Sequence, residues 1–308
     1  MLNVGRLRVL RELHHRKTLS AVAEALSYST SAVSQQVRQL EKEVGVRLIE
    51  PVGRRIRLTP QGLLLADHAE KILGLVERAQ VDVAASLEHP RGTVRLAAFQ
   101  SAALTFVPRA LRELQDRYPD LIVEFHQGEP ERTLPALSSG DFDLVIAESY
   151  PGIPLPSMPG VVVDTLLEDG LWLAMNASIA DSIDPACDTF AQLSGAGWAV
   201  EVAASAPRTW VVDECRKHGF EPRIVCSSED LAVQLQFVEA GLAVAVLPGL
   251  ALEAASTSLR KFPTAPGIQR RRVLLVSREA SYSLPASSVV RTALERASAQ
   301  LRVGELGR

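Results

Sequence analysis

Residues 18–57 read TLSAVAEALSYSTSAVSQQVRQLEKEVGVRLIEPVGRRIR, and this stretch decides the fold of the first part of the chain. Apolar residues recur at helical spacing before Ser27 and again after Ser29, which predicts two short helices packed around a polar turn. The second helix begins with hydroxyl side chains that suit an N-cap, and it ends at Gly45, where glycine tolerates the left-handed backbone. Two short apolar runs around residues 51–53 then predict a small hairpin.

The polar side chains of the second helix and the hairpin are those expected of a DNA-reading unit. Short polar groups near a helix start suit base edges and phosphates, and arginines in a hairpin suit phosphates or a minor groove. The candidate DNA-binding residues are Ser29, Thr30, Ser31, Ser34, Gln35, Arg38, Arg54, Arg55 and Arg57. A helix-turn-helix is also a plain packing unit, and a serine-rich helix start is also an ordinary cap.

The distribution of charge favours the DNA-binding interpretation. The first 58 residues contain 11 Lys and Arg against 5 Glu, a net charge of +6, whereas the other 250 residues carry −9. The net charge of −3 for the whole chain therefore conceals a basic head on an acidic body. Such asymmetry is typical of a protein that contacts nucleic acid.

The run from residue 18 to residue 62 resembles the winged helix-turn-helix of LysR-type transcriptional regulators. The resemblance is carried by the serine-rich second helix, by the segment LEKEVGVRL and by RLTPQG, which opens the next helix. Ile49 stands where the family commonly has phenylalanine, and Pro51 where it commonly has arginine. Because proline removes one phosphate contact, the wing contacts are expected from Arg54, Arg55 and Arg57.

A long linker helix is predicted for residues 60–89, after a DNA-binding domain at residues 1–59. Pro60 suits a first helical turn, and Pro90 with Gly92 ends the run. Apolar residues three or four apart form a seam, and since no second helix lies beside it in the sequence, it is expected to pair with its copy in another subunit. The seam consists of Leu65, Ala69, Ile72, Val76, Ala79 and Val83. The LysR resemblance implies the same dimerising role.

Residues 90–308 alternate short apolar runs with helical stretches, which predicts an α/β domain. Strands are expected at 93–99, 121–126, 142–147, 161–167, 171–175, 197–202, 223–226 and 271–276, and helices at 102–118, 132–138, 209–218, 231–241 and 287–301. FDLVIAES at 142–149 and GLAVAVLP at 241–248 resemble the periplasmic-binding-protein-like effector domain of LysR regulators. The resemblance implies two lobes around a cleft, lobe I at about 91–163 and 268–308 and lobe II at about 164–267.

Candidate effector-binding residues follow the ends of the predicted strands, where open α/β sheets bind ligands. Ser101 leads them, because its hydroxyl and the free amides of the following helix suit a carboxylate or other anion, and family members commonly contact the effector there. Alternatively, Ser101 is only an N-cap. The candidates are Gln100, Ser101, Ala102, Gln127, Glu148, Ser149, Ser205, Ser227 and Pro248. Arg132 and Arg208 are either clamps for an acidic effector or ordinary solvated arginines.

Patterns of catalysis and metal binding are missing from the sequence. It contains no HExxH, GxSxG or glycine-rich phosphate loop, and its six histidines show no ligand spacing. We therefore expect no catalytic residues, no metal and no cofactor. Cys215 and Cys226 are expected to be buried and inert, although some LysR regulators sense peroxide through a cysteine pair in this domain. His14 and His15, beside further basic residues, predict a solvated basic face.

The expected function is a LysR-type regulator controlled by a small-molecule effector. It would bind a dyad-symmetric operator in double-stranded DNA as a homodimer or homotetramer, without a membrane partner. Because no apolar stretch is long enough for a signal peptide or a membrane span, a cytoplasmic location is expected. The alternative from another class is a solute-binding or enzymatic α/β protein with an incidental helix-turn-helix, and the basic head and the helix seam count against it.

Overall fold

The computed structural model describes residues 2–26, 28–52, 55–85, 90–184, 187–254, 259–264 and 268–301, without the side chains of residues 52, 55, 77, 78 and 80–85. The N-terminal part is a three-helix unit with a hairpin and one long helix. Its elements are α1 (Val4–Arg16), α2 (Leu19–Ala25), α3 (Thr30–Val44), β1 (Ile49–Val52), β2 (Arg55–Leu58) and α4 (Pro60–Ala85). The end of the predicted linker helix, residues 86–89, lies outside the described residues.

The predicted helix pair and hairpin are confirmed. Val33, Val37 and Leu40 lie on the buried face of α3, where they pack with apolar residues of α1 and α2. Gly45 ends α3 with a left-handed backbone, φ 75°. β1 and β2 pair antiparallel, with Ile49 opposite Leu58. The sequence had not predicted α1, although this helix supplies a large part of the core.

The hairpin is tightly joined to the long helix α4 through Thr59 and Gly62. The Thr59 hydroxyl accepts the N–H of Gly62 at 3.0 Å, as an N-cap does, and donates to the carbonyl of Arg47 at 2.8 Å. Gly62 lies so close to Leu48 that a Cβ there would overlap the Leu48 carbonyl oxygen. Glycine is therefore required where the helix crosses the hairpin strand.

The remaining residues form an α/β domain. Its first half contains β3 (Gly92–Ala98), α5 (Gln100–Leu104), α6 (Phe106–Arg117), β4 (Leu121–Gln127), α7 (Pro130–Ser139), β5 (Leu144–Ser149) and β6 (Val161–Met175). Its second half contains α8 (Ala177–Ala180), α9 (Thr189–Gln192), β7 (Gly197–Val200), α10 (Ala206–Lys217), β8 (Arg223–Ser227), α11 (Leu231–Glu239), β9 (Ala245–Pro248), α12 (Gly249–Ala254), β10 (Arg260–Pro263), β11 (Arg270–Arg278) and α13 (Pro285–Ala299).

Strand β6 connects the two lobes. Its first part pairs with β11, in a sheet that continues through β5 and β3 to β4, and its last part pairs with β9 and β10. The two strands predicted at 161–167 and 171–175 are therefore one strand of 15 residues, which changes partners at Gly170. The chain crosses back into the first sheet through β11, and this double crossing separates lobe I from lobe II.

Each lobe has its own apolar core. In lobe I, α6 and α13 cover one face of the sheet and α7 the other, with Phe106, Leu144 and Ile146 fully buried. In lobe II, the rings of Phe190 and Trp198 stack at 5.8 Å. Because apolar side chains are buried within each lobe, the two lobes are separately packed units that meet along one cleft.

The single helix predicted at 102–118 is wrong, because the structure breaks it at Thr105. Pro108 has no N–H to donate to the carbonyl of Leu104, and its ring would collide with that carbonyl in a continuous helix. The Thr105 hydroxyl instead donates to the Ser101 carbonyl at 2.7 Å. The first helix of lobe I is consequently only five residues long.

Candidate DNA-binding surface and effector cleft

The outer face of α3 has the predicted recognition residues. Ser29 caps the helix by accepting the N–H of Ala32 at 3.1 Å, and its hydroxyl lies 2.9 Å from that of Ser31. Gln35 and Arg38 are exposed one and two turns farther along. Thr30 is also exposed, and Ser34 is half-buried. The alternative reading of the serine-rich start as a cap is thus confirmed for Ser29, while the other side chains remain available to a partner.

The hairpin of β1 and β2, the wing of the winged helix-turn-helix, is described only in part. Arg57 is exposed and pairs with Glu50 across the hairpin at 2.6 Å, so that its positive charge is partly neutralised. Arg54 and the side chain of Arg55 lie outside the described residues.

Helix α1 binds lobe I, which corrects the predicted basic face. Arg16 Nη2 lies 2.7 and 2.6 Å from the two carboxylate oxygens of Asp141, and Arg11 is buried and donates to the Ser139 carbonyl at 3.2 Å. His14 and His15 line a cavity between the head and lobe I rather than facing open solvent. Burial and neighbouring Lys17 lower the pKa of His14, in keeping with an imidazole that is neutral in this contact. Part of the basic charge of the head therefore serves an internal interface.

The predicted seam of α4 is partly used inside the chain. Ala69 is fully buried in the core formed with α1, and Leu65 and Ile72 pack against the same core. Ala69 is thus unavailable to a second subunit in this arrangement, because α1 already covers it. Val76 and Ala79 are exposed, and the side chain of Val83 is not described.

Polar contacts join the two lobes across the mouth of the cleft. The Gln100 side chain donates to Asp230 at 2.9 Å and accepts the N–H of Leu231 at 2.7 Å. Arg132 of lobe I forms a bidentate ion pair with Glu229 of lobe II, at 3.1 and 2.9 Å. Arg132 is thus an exposed arginine, as the second alternative predicted, and its ion pair links the two lobes at the surface.

A buried cluster around Arg271 lies where β6 and β11 cross. Its guanidinium donates to Asp169 at 2.9 and 2.7 Å, to the Ser101 hydroxyl at 2.7 Å and to Glu148. Its Cζ stands 4.9 Å from the centre of the Phe99 ring. Burial and the Arg271 charge act in opposite directions on Glu148, and the burial of its carboxyl leaves its pKa raised.

Ser101 therefore contacts a cation of the same chain, Arg271, and its role in binding an anionic effector stays a prediction. The helix begins at Gln100 with Phe99 in the N-cap position, so the alternative that Ser101 is an N-cap is also wrong. Five residues make too short a helix to supply a strong dipole to an anion. The Ser101 hydroxyl is instead a hydrogen-bond acceptor for Arg271.

The structure spreads the other predicted effector residues around the cleft. Ala102 belongs to the core of lobe I, and Pro248 is a buried strand residue opposite Leu171. Neither residue is therefore presented to a ligand. Ser205 caps α10, and its hydroxyl donates to the Val202 carbonyl. The remaining residues are exposed Gln127, buried Ser149 and exposed Ser227, whose hydroxyl accepts from Arg208 at 3.3 Å.

A cavity of about 540 Å³ opens between the lobes. Lobe I contributes Glu131 and Glu148, and lobe II contributes Ala204, Ala206 and Thr209. The third wall is an apolar segment, residues 153–159, and His15 of the head reaches the same space. The cavity thus touches both lobes and the DNA-binding domain.

The pKa values of carboxyl groups around this cavity are perturbed by burial and by the charges of neighbouring carboxylates. Burial, and after it the nearby charge of Glu148, raises the pKa of Glu129 to about 7 and the pKa of Glu201 to about 9. Sequence reasoning missed Glu129, Glu201, Asp169 and Arg271. The alternation of β11 was a usable signal for Arg271, because it shares a face with the buried residue Val273.

All three cysteines are free thiols. Cys215 and Cys226 are buried free thiols, as predicted, and Cys187 is an exposed free thiol. Burial raises the pKa of Cys215 to about 12, which disfavours the reactive thiolate. Among the described residues, no group of three or more His, Cys, Asp or Glu side chains is placed to hold a metal ion. In the same part of the chain, no helix has the length and apolar character to cross a bilayer.

Two family models match the chain in the order of its domains. Residues 4–63 match the bacterial regulatory helix-turn-helix protein, lysR family, and residues 87–299 match the LysR substrate binding domain. The chain belongs to the LysR family. Its members are transcriptional regulators that combine a DNA-binding domain with an effector-binding domain, and the alternative of an enzyme or a solute-binding protein is excluded.

The similarity of this LysR protein to its relatives extends over nearly its whole length. The HTH-type transcriptional regulator YfeR from Shigella flexneri is 27% identical over 281 residues, 90% of this chain and 88% of YfeR. A full-length OxyR variant from Pseudomonas aeruginosa has a TM-score of 0.69 at 19% identity, covering 98% of this chain and 96% of OxyR. Full-length CbnR in complex with its target DNA has a TM-score of 0.53 at 20% identity, covering 96% of this chain and 100% of CbnR. At these identities the two structures establish the fold.

Proposed function

We propose that this LysR-family protein binds a dyad-symmetric operator in double-stranded DNA as a homodimer or homotetramer and responds to a small molecule held between its lobes. The exposed polar face of α3, on a helix-turn-helix joined to a two-lobed domain, carries the proposal. We place the DNA-binding domain at residues 1–59, the linker helix at 60–89 and the effector domain at 90–308. The cytoplasm is the proposed location, since the target is DNA.

Recognition of DNA bases is assigned to α3 and backbone contact to the wing. Gln35 and Arg38 project from the exposed face of a helix that can enter a major groove, with Thr30 and Ser31 at its start. The hairpin arginines Arg54, Arg55 and Arg57 supply phosphate or minor-groove contacts. The structure of CbnR with its target DNA supports this use of the shared fold.

Replacing Arg38 with alanine is expected to relax or abolish operator preference, because its side chain contacts base edges. Arg55→Ala is expected to weaken binding evenly across sequences, since a phosphate contact carries no sequence information. Selection from a randomised duplex library, followed by affinity measurement on the best and a scrambled site, separates the two effects. Identical specificity profiles for the two variants would contradict the assignment, and failure of the wild-type chain to select any site would contradict the proposed function.

Pairing of subunits is assigned to the exposed apolar side of α4. Val76 and Ala79 remain from the predicted seam, and Leu64 and Leu75 are exposed large hydrophobic residues of the same helix. A second subunit would cover them, because large exposed apolar side chains along one helix are typical of an interface. Pairing doubles the number of DNA heads and reads two half-sites.

Effector control is assigned to the contacts between the lobes and between lobe I and the head. A ligand in the cavity would favour one arrangement of the lobes over another, since it can shift an equilibrium only through its differential affinity. Lobe I is bound to the DNA head through Arg11 and the Ser139 carbonyl, and α7 carries both this contact and the Arg132 contact to lobe II. A movement of α7 therefore reaches the head directly.

A further inference from the structure

The DNA-binding head forms part of the wall of the cavity between the lobes. His15, in the last turn of α1, lines this cavity together with residues of both lobes. The Nε2 atom of His15 is shielded from solvent and lies 3.5 Å from Oε2 of Glu70 on α4. The imidazole ring is therefore held between the linker helix and the cavity.

A second cavity adjoins the first where the head meets lobe I. It also has a volume of about 540 Å³, and it lies between α1, α4 and lobe I. His15, Ser138 and Pro159 line both cavities. Because these shared residues come from the head and from lobe I, the wall between the two spaces exists only while the head and lobe I are in contact.

An ionic contact outside both cavities holds His15 in this position. Arg16 Nη2 lies 2.7 and 2.6 Å from the two carboxylate oxygens of Asp141, and neither residue lines either cavity. Glu12 is only 2% exposed, and it accepts from Arg16 at 2.8 Å and from Arg11 at 3.1 Å, which fixes both arginines. Release of the head from lobe I would thus remove the His15 wall while the lining from the two lobes stays in place.

We propose that the small molecule held between the lobes also contacts the DNA-binding head through His15, so that its binding favours the head docked on lobe I. The proposal rests on the function proposed above and adds a direct link between the same cavity and the head. A ligand shifts an equilibrium only through its different affinities for two states, and the docked state offers a wall that the undocked state lacks. By reciprocity, docking raises the affinity for the ligand by the factor with which the ligand favours docking.

The lining of the cavity indicates an uncharged ligand with a largely apolar body. Most of the surface is carbon, with Leu134 and Leu155 among the apolar side chains, and the volume suits a small organic molecule. The two lobes contribute carboxylates as the charged groups of the lining, and these oppose an anion. A cation gains little, because Glu148 is already paired with Arg271 and Glu131 is exposed to water, where an ion pair is weak.

Fluorescence titration of the full-length protein with N-phenyl-1-naphthylamine, an uncharged apolar dye, tests the proposal. We expect saturable binding, with displacement of the dye by 1-naphthol and not by the same concentration of the anion 1-naphthoate. His15→Ala removes the part of the wall that the head supplies and should weaken dye binding by about fivefold or more. His68→Ala is the control, since it removes an exposed histidine of α4 that lines neither cavity, and it should leave the affinity unchanged.

Asp141→Arg tests the link to docking without changing a residue of the cavity wall. It sets two positive charges against each other at Arg16, so it should release the head and weaken dye binding by about fivefold or more. Adding Arg16→Glu to this variant restores a pair of opposite charges and should recover most of the affinity. Asp116→Arg makes the same charge change on α6, where Asp116 and Arg112 form an exposed ion pair, and should leave the affinity unchanged.

Specific outcomes overturn the inference. They are the absence of saturable dye binding, stronger displacement by 1-naphthoate than by 1-naphthol, an affinity of His15→Ala or Asp141→Arg equal to that of its control, and no recovery when Arg16→Glu is added. Operator binding measured on the same preparation keeps the two proposals separate. A protein that binds its operator while its dye site is independent of the head retains the proposed function and refutes the direct link.

Discussion

Arg271→Met is expected to lower the free energy of unfolding of the effector domain by about 3–5 kcal/mol, the usual cost of removing one partner from a buried ion pair. The guanidinium of Arg271 compensates two buried carboxylates, Asp169 and Glu148, and methionine leaves both charges in the protein interior. Denaturant unfolding followed by tryptophan fluorescence measures the loss, because all three tryptophans, Trp172, Trp198 and Trp210, lie in lobe II.

The dependence of this loss on pH has a definite sign. Burial already raises the pKa of Glu148, and removal of the guanidinium raises it further, so that the folded variant binds a proton that the unfolded chain has lost. Stability is then retained below the unfolded pKa of about 4.5 and decreases as pH rises towards the folded value. The deficit should be smaller at pH 5 than at pH 8. Arg296→Met, which breaks an exposed pair with Glu113, is the control and should cost at most about 1 kcal/mol. Equal losses in the two variants would contradict the assignment of a buried cluster.

Gly62→Ala is expected to abolish operator binding while the effector domain remains folded. The added Cβ would overlap the Leu48 carbonyl oxygen and stand 3.0 Å from its carbonyl carbon. That oxygen accepts the N–H of Thr59 at 2.9 Å, so moving it breaks the joint between the wing and α4. Overpacking of this kind typically costs about 1–3 kcal/mol, and here it falls on a small domain that has little stability to lose. Thermal unfolding and DNA-binding titrations measure the two effects.

Gly74→Ala is the matched control in the same helix. A Cβ at Gly74 meets only the Ala280 methyl group at 3.5 Å, an ordinary van der Waals distance. Replacing glycine inside a helix should then stabilise it by about 0.5–1 kcal/mol and preserve DNA binding. A Gly62→Ala protein that binds the operator as tightly as Gly74→Ala does would show that the crossing of hairpin and helix tolerates a side chain.

Local patterns were sufficient to predict α2, α3 and the hairpin of the DNA-binding head. The caps, the helical spacing and the glycine turn lie within about 40 residues, so short-range rules decide them. Ser29 and Gly45 occupy the predicted ends of α3. The same rules were not applied to α1, although Asn3 is a start signal and caps this helix by accepting the N–H of Arg6 at 3.2 Å. The burial of Arg11 could not be predicted, because it results from the tertiary contact with lobe I.

Long-range contacts explain what the sequence could not show about the cleft. Arg271 is 102 residues from Asp169 and 170 residues from Ser101, and only the crossing of β6 and β11 brings them together. In the sequence, Arg271 stands between two other arginines and resembles a surface charge run. The position of Ser101 after a strand was predicted correctly, but its hydrogen-bond partner could not be, because that partner comes from the far end of the chain.

Gly170 shows a related limit. The strands predicted at 161–167 and 171–175 left residues 168–170 between them, whereas the chain continues through Gly170 without a turn. A Cβ at this position would approach Ile268 and Trp172 at 3.0 Å, so the glycine permits close packing at the point where β6 changes sheets. Glycine in a strand pattern marks either an interruption of the strand or a position of close packing, and the sequence does not distinguish between the two.

Fluorescence anisotropy of the full-length protein on a duplex from the region upstream of its own gene, titrated at increasing salt, tests the central claim most directly. A homodimer with a net charge of +6 on each DNA-binding head should bind the duplex at low salt and lose affinity by about 10³-fold or more between 50 and 200 mM salt. A duplex with one scrambled half-site should bind more weakly at every salt concentration. No binding at low salt, or an affinity that does not change with salt, would contradict the account.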